Sequence, residues 1–222
     1  MNRRILLIFT AIACLMPVRQ VQAQVAKLYP VDEGPRDATF FAFRARLLEA
    51  VEQRDMSFLE SILFPGIQNN FGVGDGGIAE FKTKWEVESP EGELWKVLTT
   101  VLTRGGSFSS NGTVFAAPYT STNFPEQFDA WEYGVILGDN VRVREKPAVD
   151  SRIIATLSFD IVEVTDWGGP QNTGERRWAT VKLAGGRQGY VAEEHILSPM
   201  GYRAVFSKRD GKWLMSALVA GD

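Results

Sequence analysis

The pattern of apolar and polar residues changes along this chain, and the second half is patterned for short strands. Valine alternates with arginine in 140–144, and β-branched residues dominate 153–157 and 161–164. Two further runs of this kind occupy 178–183 and 189–191, with turn-forming residues between the runs. Such runs are typical of half-buried β-strands. We therefore expect a small all-β unit in this part of the chain.

The first half is patterned for helices. Apolar residues recur at helical spacing from Phe40 to Val51, and Asp37 is placed to cap the helix that they predict. A capping box at 57–60 predicts a second helix, which would end before Pro65.

Two more helices are expected before the middle of the chain. A short one would start at Asp75 and run to Trp85. The other would be capped by Ser89, with proline at its first position, and would stop at Gly105. Its apolar stripe comprises Leu94, Trp95, Leu98, Val101 and Leu102.

Residues 107–132 show little periodicity, because prolines and an Asn-Gly pair interrupt them. They are nevertheless rich in phenylalanine and tyrosine, which a flexible linker would lack. We predict an irregular connector packed between two modules. After the strand-rich unit, Asp210-Gly211 between two apolar runs predicts a β-hairpin over residues 200–222.

The order of motifs in the second half is similar to that of a known family. Val-Arg-x-x-Pro at 143–147 is followed by Ser151-Arg152, a valine-rich strand, Trp178 and Gly189-Tyr190-Val191. This order resembles the bacterial SH3-like domain of cell-envelope proteins. The resemblance implies a small β-barrel and, as ligand class, cell-wall peptide or another envelope protein. Asp160 stands where that family usually has a turn glycine.

A second resemblance concerns the remainder of the chain. Arg54-Asp55 after the first helix, and the ending Asp210-Gly211-Lys212-Trp213, resemble the nuclear-transport-factor-two-like fold. The resemblance implies that the barrel is an insertion and that a small-molecule pocket lies between helices and sheet. The middle strands of that fold are not evident between residues 62 and 131.

These patterns together predict the α+β class, with a helical N-terminal domain, a small SH3-like β-barrel and a C-terminal β-hairpin. The predicted segments are 1–23 (signal peptide), 24–106 (helical domain), 107–132 (connector), 133–199 (barrel) and 200–222 (hairpin).

The first residues have the pattern of a secretory signal peptide. Arg3 and Arg4 precede an apolar run over 5–16, and small residues lead to Ala23, after which we expect cleavage. The run is too short for a transmembrane helix, which needs about 20 apolar residues. The alternative is lipoprotein cleavage at Cys14. We expect a periplasmic or secreted protein with no transmembrane segment in the mature chain.

Cleavage changes the available chemistry, because it removes Cys14, the only cysteine. The mature chain would then form no disulfide and hold no thiolate metal ligand. Loss of three arginines leaves 21 basic against 27 acidic residues and moves the net charge from -3 to -6. Such a chain is not expected to bind nucleic acid.

The residues that could support catalysis are few. His195 is the only histidine, so a zinc site of several imidazoles is excluded and a triad could use only that residue. Carboxylate-dependent glycan cleavage stays open as an alternative. The acids available for it lie on the polar faces of predicted helices: Glu49, Glu52, Glu60, Glu91 and Glu93.

A glycine-rich run at 72–77 matches the G-x-G-x-x-G pattern of dinucleotide-binding loops. That pattern needs a buried strand before it and a second strand with an acidic residue after it, and neither is predicted here. We interpret the run as a turn in which Asp75 caps the next helix, and we expect no cofactor.

The predicted function is therefore that of a non-enzymatic binding or interaction protein. Aromatic rings beside loops bury much area at low entropic cost, so they are the preferred contact residues. Trp167 is the first candidate because it leads into a long polar loop over 168–175. Trp178, Tyr190 and Arg144 complete the predicted ligand-binding set.

Overall fold

The computed structural model describes residues 26–72, 76–87, 89, 92–168 and 176–221. The predicted signal peptide lies outside these residues. The helices are α1 (Ala38–Gln53), α2 (Met56–Ser61), α3 (Gly77–Lys84), α4 (Leu94–Leu102) and α5 (Tyr119–Thr122). The mixed α+β class is confirmed. In the described ranges, no helix combines the length and apolar character needed to cross a bilayer.

Twelve strands form two sheets within the described residues. In chain order they are β1 (Leu63–Gln68), β2 (Ser107–Phe108), β3 (Val114–Ala117), β4 (Tyr133–Ile136), β5 (Val141–Arg144), β6 (Ile153–Leu157), β7 (Ile161–Asp166), β8 (Trp178–Lys182), β9 (Gln188–Ala192), β10 (Ile196–Leu197), β11 (Arg203–Arg209) and β12 (Lys212–Val219).

Helix α1 begins where the sequence predicts. The Asp37 carboxylate accepts hydrogen bonds from the backbone N–H groups of Thr39 (2.7 Å) and Phe40 (3.0 Å), which would otherwise lack partners. The Thr39 hydroxyl also donates to this carboxylate, and together these bonds lower the pKa of Asp37. The helix ends at Arg54, which takes a left-handed conformation with φ of 54°.

Two predicted helix starts are wrong. Helix α2 is capped by Asp55, whose carboxylate accepts from the N–H of Phe58 at 3.0 Å, and Ser57 lies inside the helix. Helix α4 starts at Leu94, whereas residues 85–87 form a turn and the Ser89 N–H donates to the carbonyl of Glu86 at 2.7 Å. Asp75, Pro90 and Glu91, which the predictions also used, lie outside the described residues.

The first sheet has the strand order β1-β12-β11-β3-β2. Strand β1 runs parallel to β12, and the other neighbours are antiparallel. The predicted C-terminal hairpin is present as β11 and β12, joined by Asp210 and Gly211, both with positive φ as a two-residue hairpin turn requires. The hairpin supplies the centre of this sheet, so the last residues complete the N-terminal unit.

The prediction of an irregular connector over 107–132 is wrong in its first part. Strands β2 and β3 lie there, and Phe115 in β3 pairs with Phe206 in β11. Strands of two and four residues are too short to show a period of two. Strand β2 pairs with β3, and β3 pairs with β11, which lies far away in sequence, so local pattern carries no sign of the pairing between β3 and β11.

Helices α1 to α4 pack against this sheet in one core. Phe40 of α1 is fully buried and lies at its centre, with ring-to-ring distances of 4.1 Å to Phe115 and 5.0 Å to Trp213. The amphipathic helix α4 buries one face in the same core through Leu94, Leu98, Val101 and Leu102.

The second sheet has the order β10-β4-β7-β8-β9-β5-β6. The predicted strands are present, but the sheet is open and the predicted closed barrel is not confirmed. Side chains from all seven strands contribute to one aliphatic core. That core includes Ile136, Val143, Val164, Val181, Val191 and Ile196, with Ile154, Ala155 and Leu157 packed against it.

This second sheet is inserted into the first unit. The chain leaves the five-stranded sheet after β3, builds β4 to β10, and returns to the five-stranded sheet with β11. The serial arrangement of helical domain, barrel and hairpin is therefore replaced by an insertion between two halves of one mixed unit.

An N-terminal strap, formed by residues 26–33, ties the two units together. At one end the Lys27 ammonium pairs with the buried Asp160 carboxylate at 2.9 Å, and the Leu28 N–H donates to the carbonyl of Phe159. At the other end Asp32 binds the buried Arg44 guanidinium through two hydrogen bonds of 2.6 and 2.7 Å. Asp160 thus anchors one end of the strap.

Candidate functional site

Three of the four predicted ligand-binding residues lie on one face of the seven-stranded sheet. Arg144 is paired with Tyr190, and Tyr190 with Thr180, two residues after Trp178. Directly opposed residues share a face, as do residues two apart on a strand. The face is the one opposite the aliphatic core. The Arg144 guanidinium donates to the carbonyl of Ser151 at 2.7 Å, so it is already engaged.

Trp167, the fourth predicted residue, follows β7 and is 37% exposed. It lies beside Gly168, where an added Cβ would stand 3.0 Å from the Arg177 guanidinium. The predicted recognition loop continues through 169–175, which lie outside the described residues. Trp167 therefore starts a segment whose contacts the described residues do not define.

A cleft of about 1090 Å³ lies between α4 and the seven-stranded sheet. Its lining comes from both units and from the loop between β5 and β6. The lining residues are Lys96, Thr100, Arg104, Leu137, Pro147, Ala148, Val149, Asp150, Arg176, Arg177, Trp178, Glu193, Glu194, Ile196 and Leu197. Of the predicted site residues, only Trp178 reaches this cleft.

The wall formed by α4 follows from helix geometry. Lys96, Thr100 and Arg104 are spaced four residues apart, so they project from one side of α4 and of the turn after it. The apolar residues of α4 occupy the other side and face the five-stranded sheet. Burial of that stripe fixes the direction in which the polar residues point.

The wall formed by the sheet carries two ion pairs. Arg176 pairs with Glu194 and Arg177 with Glu193, each at 3.1 Å. Arg176, Arg177 and Glu194 are about half exposed or more, and Glu193 is 24% exposed. Solvent screens such pairs, so each contributes less than about 1 kcal/mol to stability. The pairs do, however, neutralise this wall.

Arg104 stands at the base of the cleft, where the two units meet. Its Nε is buried and has no hydrogen-bond acceptor among the described residues. Its charge is close enough to Tyr119 to act on the phenol, although burial dominates and raises the pKa of Tyr119. The oxygen Oε1 of Glu193 is buried without a donor in the same part of the structure. Unpartnered buried polar atoms are uncommon, so each of these two atoms calls for a partner such as a water, an ion or a ligand.

The loop over 147–150 forms the third side and is held at its base. Glu145 and Arg152 pair across the loop at 2.6 Å, and this bond lowers the pKa of Glu145. The N–H of Lys146 donates to the Ser151 hydroxyl at 2.9 Å. Val149 at the tip is 58% exposed, which leaves an apolar side chain at the rim of the cleft.

The candidate catalytic residues are not gathered into one site. Glu60 pairs with Lys82 at 2.7 Å, Glu49 accepts from Gln53 at 3.3 Å, and Glu91 lies outside the described residues. His195 is exposed in a short 3₁₀ turn. The part of the chain that the structure describes contains no cluster of three metal-ligating residues.

The space between α1 and the five-stranded sheet, where the second resemblance implies a small-molecule pocket, is occupied by side chains. Phe40 lies within 6 Å of five other aromatic rings, namely Phe43, Phe108, Phe115, Phe206 and Trp213. The indole N–H of Trp213 donates to the Thr39 hydroxyl at 3.0 Å. This packing counts against a cavity at that position.

The glycine-rich run at 72–77 leads directly into α3, and its central residues 73–75 lie outside the described residues. Gly76 has a positive φ of 61° and precedes the helix without a side-chain cap. Strand β1 precedes the run, whereas the strand that comes after α3 and α4 is the two-residue β2. This order differs from the strand-helix-strand unit of a dinucleotide fold.

The chain matches no protein-family model, no curated protein and no solved structure in comparisons with known proteins. A functional conclusion for this chain therefore rests on the geometry of its own residues. Sequence reasoning did not single out Lys96 and Arg104, although their spacing of four from Thr100 on the polar side of an amphipathic helix was visible. Their meeting with the sheet depends on how the inserted strands are seated against the first unit, and no local pattern encodes that placement.

Proposed function

We propose that this protein is an exported bacterial binding protein without catalytic activity, whose SH3-like part contacts a cell-wall peptide or an envelope protein. We place the contact in the cleft between α4 and the seven-stranded sheet. The observation that carries the proposal is the cleft itself, with Trp178, only 5% exposed, among residues of both units that line it.

Several features of the cleft suit binding. Its volume of about 1090 Å³ lies slightly above the range for small-molecule sites, roughly 300 to 1,000 Å³. Seven apolar side chains line it together with eight polar ones, and this mixture suits a ligand that has both apolar and charged parts. The strap ties together the two units that form the walls before a ligand arrives, which lowers the entropic cost of binding.

Export is the part of the proposal that rests on sequence. The basic residues, apolar run and small residues at 1–23 support cleavage after Ala23. Cleavage there would leave Lys27 four residues from the cleavage site and within the strap. The protein would then act in the periplasm or outside the cell.

The proposal is tested with a variant that fills the cleft. Thr100 lines the cleft, and its hydroxyl donates to the carbonyl four residues earlier at 2.9 Å. Thr99 makes the same bond at 2.8 Å but is exposed and does not line the cleft. Thr100→Trp and Thr99→Trp therefore cost the helix about the same, and only Thr100→Trp blocks the site.

The measurement is retention on purified peptidoglycan, together with crosslinking to proteins in the intact envelope. We expect wild type and Thr99→Trp to be captured in at least one of the two assays, and Thr100→Trp to lose about tenfold in that assay. Equal capture of both variants, or no capture of wild type in either assay, would contradict the proposal.

A further inference from the structure

The two walls of the cleft differ in their charge balance. On the sheet side, Arg176 and Arg177 are both paired with glutamates. On the α4 side, Lys96 and Arg104 have no carboxylate partner among the described residues. Asp150 on the β5–β6 loop is the one further acid that lines the cleft within those residues. The uncompensated charge of the cleft is therefore positive and lies along α4.

The surface between the walls is apolar. Trp178 and Ile196 are almost fully buried, and Leu137 and Leu197 lie beside them. A cation next to an apolar surface interacts more strongly with an anion than a cation in open water does, because water is partly excluded. The cleft therefore favours a ligand that carries a negative group next to an apolar part.

We propose that this cleft binds a short peptide through a free carboxylate held by Lys96 and Arg104. The inference rests on the proposed function and names the chemistry of its ligand. Arg104 presents a planar donor group that matches the two oxygens of a carboxylate, and Lys96, two turns earlier on the same side, adds a second charge. The apolar surface then receives the side chain next to that carboxylate.

A peptide suits the cleft better than a small inorganic anion. A volume of about 1090 Å³ is far larger than one anion needs. In addition, β10 is an edge strand that pairs with β4 on one side only, and both of its residues line the cleft. Edge strands offer backbone groups to an extended peptide, which an inorganic ion cannot use.

The test uses two pools of N-acetylated tripeptides with the same sequences. One pool ends in a free carboxylate and the other in an amide, and inorganic phosphate is a third sample. Binding is measured by NMR on ¹⁵N-labelled protein recovered after export. The indole N–H of Trp178 reports on the cleft, whereas that of Trp131, which is 60% exposed and does not line the cleft, is the control.

We expect the free-acid pool to shift the Trp178 signal with saturation and to leave Trp131 unchanged. The amidated pool should bind roughly tenfold more weakly, because it lacks the charged carboxylate that accepts hydrogen bonds from the cleft. Phosphate should bind more weakly than the free-acid pool because it contacts neither the apolar surface nor β10.

Charge reversal locates the carboxylate. Lys96→Glu changes an exposed residue of the α4 wall, so the fold is retained. The substitution should weaken binding of the free-acid pool about tenfold. Lys212→Glu makes the same charge change at an exposed position outside the cleft and should have no effect. Arg104→Gln tests the second cation, with the NMR spectrum itself reporting whether the variant is folded.

Three results would overturn the inference. They are equal binding of the acid and amide pools, phosphate binding as tight as the free-acid pool, and no shift of Trp178 with either pool. If envelope capture still depends on Thr100 in those cases, the proposed function stands without the carboxylate. Conversely, a Lys96-dependent free-acid signal without envelope capture would support the carboxylate site and contradict the proposed function.

Discussion

The five-stranded sheet is covered by helices and packs through large aromatic rings, whereas the seven-stranded sheet packs through valine and isoleucine side chains. The first unit is assembled from distant segments, so that Leu63 pairs with Met215. The second is continuous in sequence from β4 to β10. The comparison shows that the insertion can be recognised locally, whereas its host becomes a unit only when the last strands return.

The two cores should respond differently to the loss of one side chain. Phe40→Ala removes a fully buried ring that touches several others, so we expect a loss of about 3 to 5 kcal/mol in the free energy of unfolding. Phe41→Ala is the matched control, because Phe41 is 51% exposed. Urea denaturation measures both. A loss below about 1 kcal/mol for Phe40→Ala would mean that the aromatic core does not hold the first unit.

The free energy of unfolding should fall less when a side chain in the core of the seven-stranded sheet is shortened, because its side chains are smaller. Val181 in β8 is fully buried in the aliphatic core, and Val181→Ala deletes two methyl groups. We expect a loss of about 2 kcal/mol in the free energy of unfolding. The exposed Val149 provides the control Val149→Ala, with a change within about 0.5 kcal/mol. If Val181→Ala costs as much as Phe40→Ala, the contrast between the two cores is wrong.

The strap should determine whether the two units unfold together. Lys27→Met removes the cation that pairs with the buried Asp160, and the carboxylate keeps only its bond from the Ser158 N–H at 2.6 Å. We expect a loss of about 1 to 3 kcal/mol and earlier exchange of backbone hydrogens in the seven-stranded sheet.

The control for the strap is Arg36→Met, which breaks the exposed Arg36–Glu33 pair at 2.5 Å. It should cost less than about 1 kcal/mol. Hydrogen exchange detected by mass spectrometry measures both variants. If the backbone hydrogens of the two sheets exchange equally fast in Lys27→Met, the strap does not couple the sheets.

The smallest effect is expected at the cap of α1, in the first unit only. Asp37→Ala should cost about 1 kcal/mol at pH 7 because two helix N–H groups lose their acceptor. The folded pKa of Asp37 lies below its ordinary 3.8, so its carboxylate stabilises the fold above that pH. This contribution disappears as the pH falls through the lower folded pKa.

The difference between wild type and Asp37→Ala should therefore shrink progressively below about pH 4. Denaturation curves at several pH values measure it. The exposed Asp139 provides the control Asp139→Ala, which should stay within about 0.5 kcal/mol of wild type at pH 7. A difference that grows in acid would contradict this account of the cap.

Much of the local structure was predictable from sequence. The helix over Phe40 to Val51 with its Asp37 cap, the strands from 141 to 192 and the Asp-Gly hairpin each depend on a short pattern, and each is present. Strand β1, which contains Pro65 and Gly66, and strands β2 and β3 were missed because their residues read locally as breakers or coil. Strand β1 forms by pairing with β12, β3 by pairing with β11, and β2 by pairing with β3.

The candidate site was predictable only in part. Trp178 was among the predicted contact residues because aromatic rings bury much area at low entropic cost, and it does line the cleft. Lys96 and Arg104 have the spacing of a solvated helix face, which is common on helices and points to no partner. Their place opposite the sheet depends on how the inserted strands are seated on the host unit.

The sequence by itself determined which segments become helices or hairpins, because those choices depend on residues within a few positions of one another. The tertiary structure alone decided that the C-terminal hairpin completes the N-terminal sheet, that Lys27 meets Asp160, and that α4 forms a wall of a cleft. These contacts join residues far apart along the chain. Their free energy comes from burial and pairing in the whole fold, and a local pattern contains only one of the two partners of each contact.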